Sequence, residues 1–150
     1  MANLGGTAST DIDAPIDEVW TVVEDVLAAP EWQDGMLSAE ALETDGEGRA
    51  TLVETVNDAK VKQVRTIIRF DYSEGPTRLS WRQEKGDIKS LVGSWELEDL
   101  GGGRTRATYL IEGDPGRMLG MLIRGPVEDG IRKVLVDARP GELKQRVEKG

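Results

Sequence analysis

The chain has 150 residues, with 28 acidic against 19 basic side chains, a formal charge of −9, and neither cysteine nor histidine. Its negative average field disfavours nucleic acid and anionic lipid surfaces, so we expect no nucleic-acid partner. The missing residue types exclude disulfides, thiolate nucleophiles, the usual zinc, haem and iron–sulfur ligands, and Ser-His-Asp or Cys-His catalysis. Any catalysis would depend on carboxylates, Lys, Arg, Tyr or bound water.

The length and composition are typical of one globular domain, which we expect to span residues 1–150. The first ten residues lack the basic and apolar regions of a secretory signal. No apolar run approaches the ~20 residues that a membrane span requires. We therefore expect a cytoplasmic protein without stable membrane insertion.

The N-terminal quarter predicts one strand followed by two short helices. Residues 7–13 alternate weakly between polar and apolar types, as in a strand. After Pro15, which suits the first turn of a helix, apolar side chains recur at helical spacing from Ile16 to Val23. A second short helix is predicted over about Val26–Gln33. Trp20 and Trp32 lie on these helices, and we interpret both as packing residues.

From residue 37 to residue 112 the sequence predicts a meander of six strands separated by turn residues. Alternation assigns one set of residues to a concave, buried face: Val64, Thr66, Ile68, Phe70, Tyr72, Leu79, Trp81, Gln83, Leu91, Gly93, Trp95, Leu97, Thr105, Ala107, Tyr109 and Ile111. The opposite face carries most of the charged side chains and is predicted to face solvent. Gly101-Gly102-Gly103 predicts a hairpin turn rather than a phosphate loop, because no helix and no Lys-Ser/Thr follows it.

The last third changes to a helical period. Its apolar residues fall on one face of a helix of more than twenty residues: Leu119, Leu122, Ile123, Val127, Ile131, Val134, Leu135 and Ala138. Pro140-Gly141 predicts a kink or break before Leu143 and Val147 resume the spacing. Strands followed by a long helix indicate the α+β class.

Several local sequences also resemble a known family. The segment Ala14-Pro15-Ile16-Asp17-Glu18-Val19-Trp20, then Pro30-Glu31-Trp32, Arg78-Leu79-Ser80-Trp81 and Gly93-Ser94-Trp95-Glu96-Leu97, resembles START-like (SRPBCC) proteins of the polyketide cyclase/dehydrase type. The resemblance implies a helix-grip fold, in which a curved seven-stranded antiparallel sheet wraps around a long C-terminal helix. It also implies an elongated cavity between sheet and helix. Its members bind or process very different molecules, so the family leaves the function open.

Side chains of the concave face are the candidate ligand contacts. The aromatic residues either line a cavity or fill a core, and Gln83 would add a polar group. The candidates are Phe70, Tyr72, Trp81, Gln83, Trp95 and Tyr109, with Ile131 and Val134 from the facing helix. Met118, Met121 and Leu122, flanked by Gly116, Gly120 and Gly125, predict either a gate over the cavity mouth or a frayed helix start.

Catalytic candidates are weak. Burial raises the pKa of a carboxyl group, which can then act as an acid or base, and Glu54 is the weak candidate for this role. Tyr109, through its phenol, is the other weak candidate for acid–base chemistry. Glutamate side chains are more often exposed to solvent or merely hydrogen-bonded, and this is the favoured interpretation for Glu54. The acidic residues between Glu40 and Glu54 lack the spacing of a calcium loop, so we expect no metal and no cofactor.

Three functions remain open on the sequence. The first is a carrier or sensor that binds a small hydrophobic molecule. The second is a cyclase or dehydratase working with carboxylate or tyrosine acid–base groups. The third is a protein interaction module, with the acidic surface or residues 118–122 contacting a partner.

Overall fold

The computed structural model describes residues 5–59, 62–122 and 126–149. Seven antiparallel strands form one sheet in the order β1-β7-β6-β5-β4-β3-β2. The strands are β1 (Gly6–Ile12), β2 (Met36–Thr44), β3 (Ala50–Asp58), β4 (Gln63–Asp71), β5 (Arg78–Gly86), β6 (Ser90–Gly101) and β7 (Arg104–Asp114). Strands β2 to β7 form the predicted meander, and β1 pairs with β7 at the edge of the sheet.

The prediction of the buried face is confirmed. Each predicted concave residue is buried or half-buried, whereas charged neighbours such as Arg65, Arg82 and Glu96 are exposed. The reason is the two-residue period of a strand, which sends alternate side chains to opposite faces. On the convex face Arg69 of β4 forms ion pairs with Glu84 and Glu43, so those charges stay at the surface.

Two short helices follow β1, as predicted. Helix α1 (Ile16–Glu24) begins directly after Pro15 and buries Val19 and Val23. A 3₁₀ helix (Val26–Glu31) comes next, two residues shorter than the predicted segment. Gly35, at φ 87°, then turns the chain into β2, a backbone conformation that glycine adopts without steric cost.

The C-terminal helical region runs beneath the concave face in several segments. They are α2 (Gly116–Leu122), α3 (Pro126–Arg132), a π-helical turn (Lys133–Asp137) and α4 (Arg139–Lys149). Ile123 and Gly125, used in the prediction, lie outside the described residues. Helix α4 packs against β1 and α1, and the π turn packs against β1 and β7.

The predicted break at Pro140-Gly141 is wrong in position. The helix widens one turn earlier, at Lys133–Asp137, where the Ala138 N–H donates to the Lys133 carbonyl five residues back. Pro140 then lies in the first turn of α4, where a helix needs no N–H donor. The irregularity therefore precedes the proline, and α4 continues through Gly141.

The core fills the space between the sheet and the helices. A larger cluster joins α1, α4 and the middle of the sheet, and it includes Val19, Leu79, Trp95 and Leu143. A smaller cluster of Ala59, Val64, Ile88 and Ile131 lies under α3. Between the two clusters, the concave face is not completely filled.

Candidate functional site

A cavity of about 150 Å³ lies between the concave face of the sheet and the helices. Its walls come from the end of α1, the 3₁₀ helix, strands β3 to β7, and the region around the π turn. An engineered apolar cavity of about this volume accepts benzene, so the cavity suits a small molecule. The site has the place and scale of a ligand pocket.

The sheet wall of the cavity is aromatic. Ring centroids lie 5.8 Å apart for Phe70 and Trp81, 5.7 Å for Trp81 and Tyr109, and 4.7 Å for Tyr109 and Trp95. These pairs are tilted, an arrangement that aromatic rings favour over face-to-face stacking. The Trp81 ring covers Gly93 of the neighbouring strand, where a Cβ would come within 2.7 Å of the indole. Gly93 thus lets Trp81 lie flat against the sheet.

A pair of hydroxyl groups forms a polar patch on this wall. Thr55 of β3 and Thr66 of β4 face each other across the sheet, with their Oγ1 atoms 2.7 Å apart and both residues buried. Asn57 Nδ2 donates to Thr55 Oγ1 at 3.5 Å. Because these groups hydrogen-bond to one another, they form a neutral polar patch in the cavity wall, and the buried hydroxyl groups of Thr55 and Thr66 are satisfied.

The helix wall contains a buried charge. Arg139 is 2% exposed and lines the cavity at the start of α4. Its Nη1 donates to Glu142 Oε1 at 2.7 Å and to the Asp34 carbonyl at 2.9 Å. Glu142 Oε2 in turn accepts a hydrogen bond from the Asp34 N–H at 2.9 Å. The Arg139–Glu142 pair therefore holds both polar groups of the Asp34 backbone and fixes the segment that follows the 3₁₀ helix.

Tyr109 and Trp32 lie close to this pair. Burial raises the pKa of Tyr109, although the neighbouring Arg139 guanidinium acts in the opposite direction, so its hydroxyl stays protonated at neutral pH. The ring of Trp32, two residues before Asp34, is 6.4 Å from that of Trp95. The indole Nε1 of Trp32 and the Nε of Arg139 are buried and have no hydrogen-bond partner among the described residues.

Comparison with known families identifies the architecture. A family model described as polyketide cyclase / dehydrase and lipid transport matches residues 5–148. The chain belongs to the polyketide cyclase/dehydrase and lipid transport family. No curated protein matches it in sequence.

Solved structures agree with this membership at the level of the fold. A START superfamily protein from Mycobacterium smegmatis superposes with a TM-score of 0.81 at 15% identity, covering 97% of each chain. The Zhui aromatase/cyclase from Streptomyces sp. R1128 gives 0.73 at 21% identity, covering 98% of this chain and 94% of its own. The ginseng major latex-like protein 151 from Panax ginseng gives 0.63 at 14%, covering 95% and 97%. The predicted family and helix-grip fold are confirmed.

Within this family fold, four of the predicted ligand contacts line the cavity: Phe70, Trp81, Trp95 and Tyr109. Tyr72 lies outside the cavity lining, and its hydroxyl donates to the Ala50 carbonyl at 2.6 Å. Gln83 also lies outside, with Nε2 donating to the Ile88 carbonyl and Oε1 without a partner in the described part of the chain.

The remaining predicted contacts come from the helical region. Ile131 belongs to the smaller core cluster, and Val134 packs near Gly35, so neither lines the cavity. Met121 is 62% exposed. The side chains of Met118 and Leu122 lie outside the described part of the structure. The gate therefore stays a prediction.

Glu54 does not line the cavity, because its strand neighbours Val53 and Thr55 face inward and strand alternation sends Glu54 to the other face. Within the described residues no three acidic side chains are grouped so as to hold a metal ion. None of the helices that the structure describes is both long and apolar enough to cross a membrane.

The sequence interpretation missed several residues of the cavity, and Trp32 and Arg139 are the two that matter most for its chemistry. Trp32, which the sequence predicts to be a packing residue, forms part of the cavity wall. Arg139 is absent from the predicted contacts, although it lies four and eight positions after Leu135 and Ile131 on the apolar face of the predicted helix. An arginine on such a face is rarely buried without a partner, and that spacing was a usable signal.

Proposed function

We propose that this protein binds a small, mainly apolar molecule in the cavity between sheet and C-terminal helices, as a carrier or sensor. The observation that supports the proposal most is the unfilled apolar cavity itself. Protein interiors are close-packed, so an apolar cavity of this size between sheet and helices is a space suited to a small molecule. A molecule in this cavity would bury apolar surface of its own and of the cavity walls, which favours binding.

The chemistry of the walls agrees with binding rather than turnover. Three of the four tryptophans of the chain, Trp32, Trp81 and Trp95, line the cavity beside Phe70 and Tyr109. Large aromatic walls with few polar groups are typical of small-molecule sites. The lining contains no glutamate, and its aspartate, Asp25, is exposed. A buried general base is thus missing from the lining residues that the structure describes.

Native mass spectrometry of the protein purified from its own host tests this proposal. We expect an excess mass that organic extraction removes and that can be identified in the extract. Substituting Leu91→Trp should narrow the cavity and reduce binding at least about tenfold, because the added ring occupies the ligand volume. Val92→Trp is the matched control, since Val92 is exposed on the same strand.

Two results would contradict the proposal. One is a host-purified protein without a ligand that also fails to bind small aromatic probes in calorimetry. The other is equal loss of binding in Leu91→Trp and Val92→Trp, which would place the ligand outside the cavity.

A cyclase or dehydratase activity is a second candidate, supported by the Tyr109 hydroxyl beside Arg139. Because burial raises the pKa of Tyr109, the phenol would act as a hydrogen-bond or proton donor to a substrate oxygen and not as a base. An aromatase/cyclase among the similar structures adds fold-level support. Turnover of a polyketide-like substrate that Tyr109→Phe abolishes, while binding is retained, would favour this candidate.

A further inference from the structure

The acidic and basic side chains are distributed unevenly along the chain. Residues 1–48 contain twelve acids and no base, whereas residues 49–150 contain sixteen acids and nineteen bases. The negative net charge of the protein therefore comes entirely from the N-terminal third. A field of this kind attracts cationic partners to one part of the surface and accelerates their association.

After β1, this acidic segment forms α1, the 3₁₀ helix, strand β2 and most of the turn that leads to β3. These elements are neighbours in space as well as in sequence. The 3₁₀ helix packs against β2. In the turn, Asp45 raises the pKa of Arg49 most strongly, and Glu24 at the end of α1 adds to the effect. The acids therefore share one side of the molecule.

The two edges of the sheet differ in how they are covered. At the β1 edge, α4 and the π turn pack against the strand, and Lys144 Nζ donates to the Asp11 carbonyl at 3.0 Å. At the β2 edge, the 3₁₀ helix is the only described element besides β3 that makes extensive contacts with the strand. Within the described residues, the backbone groups of residues 37–44 bond only to β3. The outer side of β2 is thus open.

Two leucine side chains are exposed along this open edge. The register of β2 with β3 shifts at Leu37 and again at Leu42, so that neither residue has a partner opposite it. Their side chains are 51% and 48% exposed. Such β-bulges re-aim a side chain, and here they leave both leucines outside the core. Glu40, which is also exposed, lies between them. We call Leu37, Glu40 and Leu42 the leucine edge.

The bulges and the charge together indicate which partner this edge suits. Bulges interrupt the hydrogen-bond ladder of an edge strand and oppose the addition of another strand, so side chains would make the contacts. The negative field repels nucleic acid and anionic lipid, and it repels the same surface of a second copy. A protein segment that carries both basic and apolar side chains complements the acids and the leucines.

We propose that the leucine edge binds a basic amphipathic segment of another protein. The apolar side chains of this partner pack on Leu37 and Leu42, where their burial removes apolar surface from water. Its lysine or arginine side chains face Glu40 and the acids of the neighbouring elements. No residue of the leucine edge lines the cavity, so this contact is separate from the ligand binding proposed above.

A synthetic amphipathic peptide of about five helical turns, with leucine on one face and lysine on the other, tests the inference. Fluorescence anisotropy of the labelled peptide measures its affinity for the protein. We expect Leu37→Ser/Leu42→Ser to weaken binding at least about tenfold, because both apolar contacts are lost. Val92→Ser is the matched control, since Val92 is 48% exposed, as Leu42 is, but lies on the interior strand β6.

The substitution Glu40→Gln tests the electrostatic part of the contact. It should weaken peptide binding about 2- to 5-fold at low ionic strength and have little effect at about 0.5 M salt, where exposed charges are screened. Glu112→Gln is the matched control, because Glu112 is an exposed acid opposite Val92. All these side chains are exposed, so each variant should unfold at the wild-type temperature, which circular dichroism checks.

Crosslinking in the host connects the peptide result to a natural partner. A photoreactive residue in place of Leu37 should crosslink to a protein that the same residue in place of Val92 does not capture. The captured protein, once purified, should bind the wild type and lose at least about tenfold in affinity for Leu37→Ser/Leu42→Ser. An equal affinity for both forms would overturn the inference.

Other results would also contradict the proposal. The peptide might bind neither form, or bind Leu37→Ser/Leu42→Ser as tightly as the wild type, and either result would overturn the leucine edge. Dimerisation that this variant abolishes would assign the edge to a second copy, and leucine-dependent binding to phosphatidylcholine vesicles would assign it to a membrane. Both would overturn the choice of a basic protein partner. None of these outcomes depends on ligand binding in the cavity.

Discussion

The sheet wall and the helix wall enclose the same cavity but are stabilised in different ways. On the sheet wall, aromatic side chains of neighbouring strands pack on one another, and the polar groups Thr55 and Thr66 satisfy each other. On the helix wall, a π turn precedes a buried Arg139–Glu142 pair that holds the Asp34 backbone. The sheet determines the shape of the site, whereas the helix wall supplies its charged and directional groups.

The difference has an energetic consequence. The contacts of the sheet wall are numerous and each contributes little free energy, so the neighbouring contacts limit the effect of losing one of them. A buried ion pair concentrates its energy in two groups, and removal of either one leaves a charge without compensation. Substitutions in the two walls should therefore differ in cost and in their effect on ligand binding.

The largest expected effect is on the helix wall. Glu142→Gln should lower the free energy of unfolding by about 3 kcal/mol, because Arg139 stays buried and charged without its carboxylate. Urea denaturation followed by circular dichroism measures this change. Glu74→Gln, which breaks an ion pair with Arg78 in which both side chains are exposed, is the control and should change the midpoint little. Equal effects of the two substitutions would show that the helix wall does not depend on its buried pair.

On the sheet wall, Gly93→Ala should be destabilising by about 1–3 kcal/mol, because the added methyl group meets the Trp81 indole and displaces it into the cavity. Binding of aromatic probes should weaken at the same time, which calorimetry can measure. Gly130→Ala in α3 is the matched control, since no atom lies within 4 Å of its added Cβ. Retained probe binding in Gly93→Ala would argue that Trp81 does not define the cavity wall.

A smaller effect is expected for the hydroxyl pair. Thr55→Val should cost about 1–2 kcal/mol, because it removes the 2.7 Å partner of the buried Thr66 hydroxyl. The double substitution Thr55→Val/Thr66→Val should recover much of this loss, since it replaces both hydroxyl groups with methyl groups of similar shape. Urea denaturation of both variants measures the coupling. Additive losses would contradict the direct hydrogen bond.

The two tyrosines of the chain should have the smallest effect on the free energy of unfolding at neutral pH. Their effect should grow at alkaline pH. Burial raises the pKa of Tyr72 and of Tyr109, so the folded protein retains phenolic protons that the unfolded chain releases above pH ~10. The unfolded state then binds fewer protons, and the free energy of unfolding falls as pH rises. The slope should reach about 1.4 kcal/mol per pH unit for each tyrosine.

Urea denaturation at several pH values, with tyrosinate absorbance, checks the alkaline effect. Below pH ~10 the tyrosines contribute no pH dependence, because both states keep the protons. The Tyr72→Phe/Tyr109→Phe variant retains the lysines and should show a flatter profile. An unchanged slope in that variant would assign the alkaline loss to other groups.

The sequence by itself determined the fold and the composition of the sheet wall. The two-residue period of the strands assigned Phe70, Trp81, Trp95 and Tyr109 to the concave face, and the structure places all four in the cavity lining. That inference needs only local geometry, because a strand alternates its faces whatever its partners are. The order of strands and helices, with the local sequences of the family, was sufficient for the architecture.

Only the tertiary structure decided which concave residues border the cavity and what its polar groups do. Tyr72 is on the predicted face but packs outside the cavity, since its hydroxyl meets the Ala50 carbonyl of another strand. Arg139 is buried because Asp34, distant in sequence, and Glu142 meet it there. Contacts of this kind depend on how separate elements pack. The helical period indicates that Arg139 faces the core, but it does not show which groups meet Arg139 there.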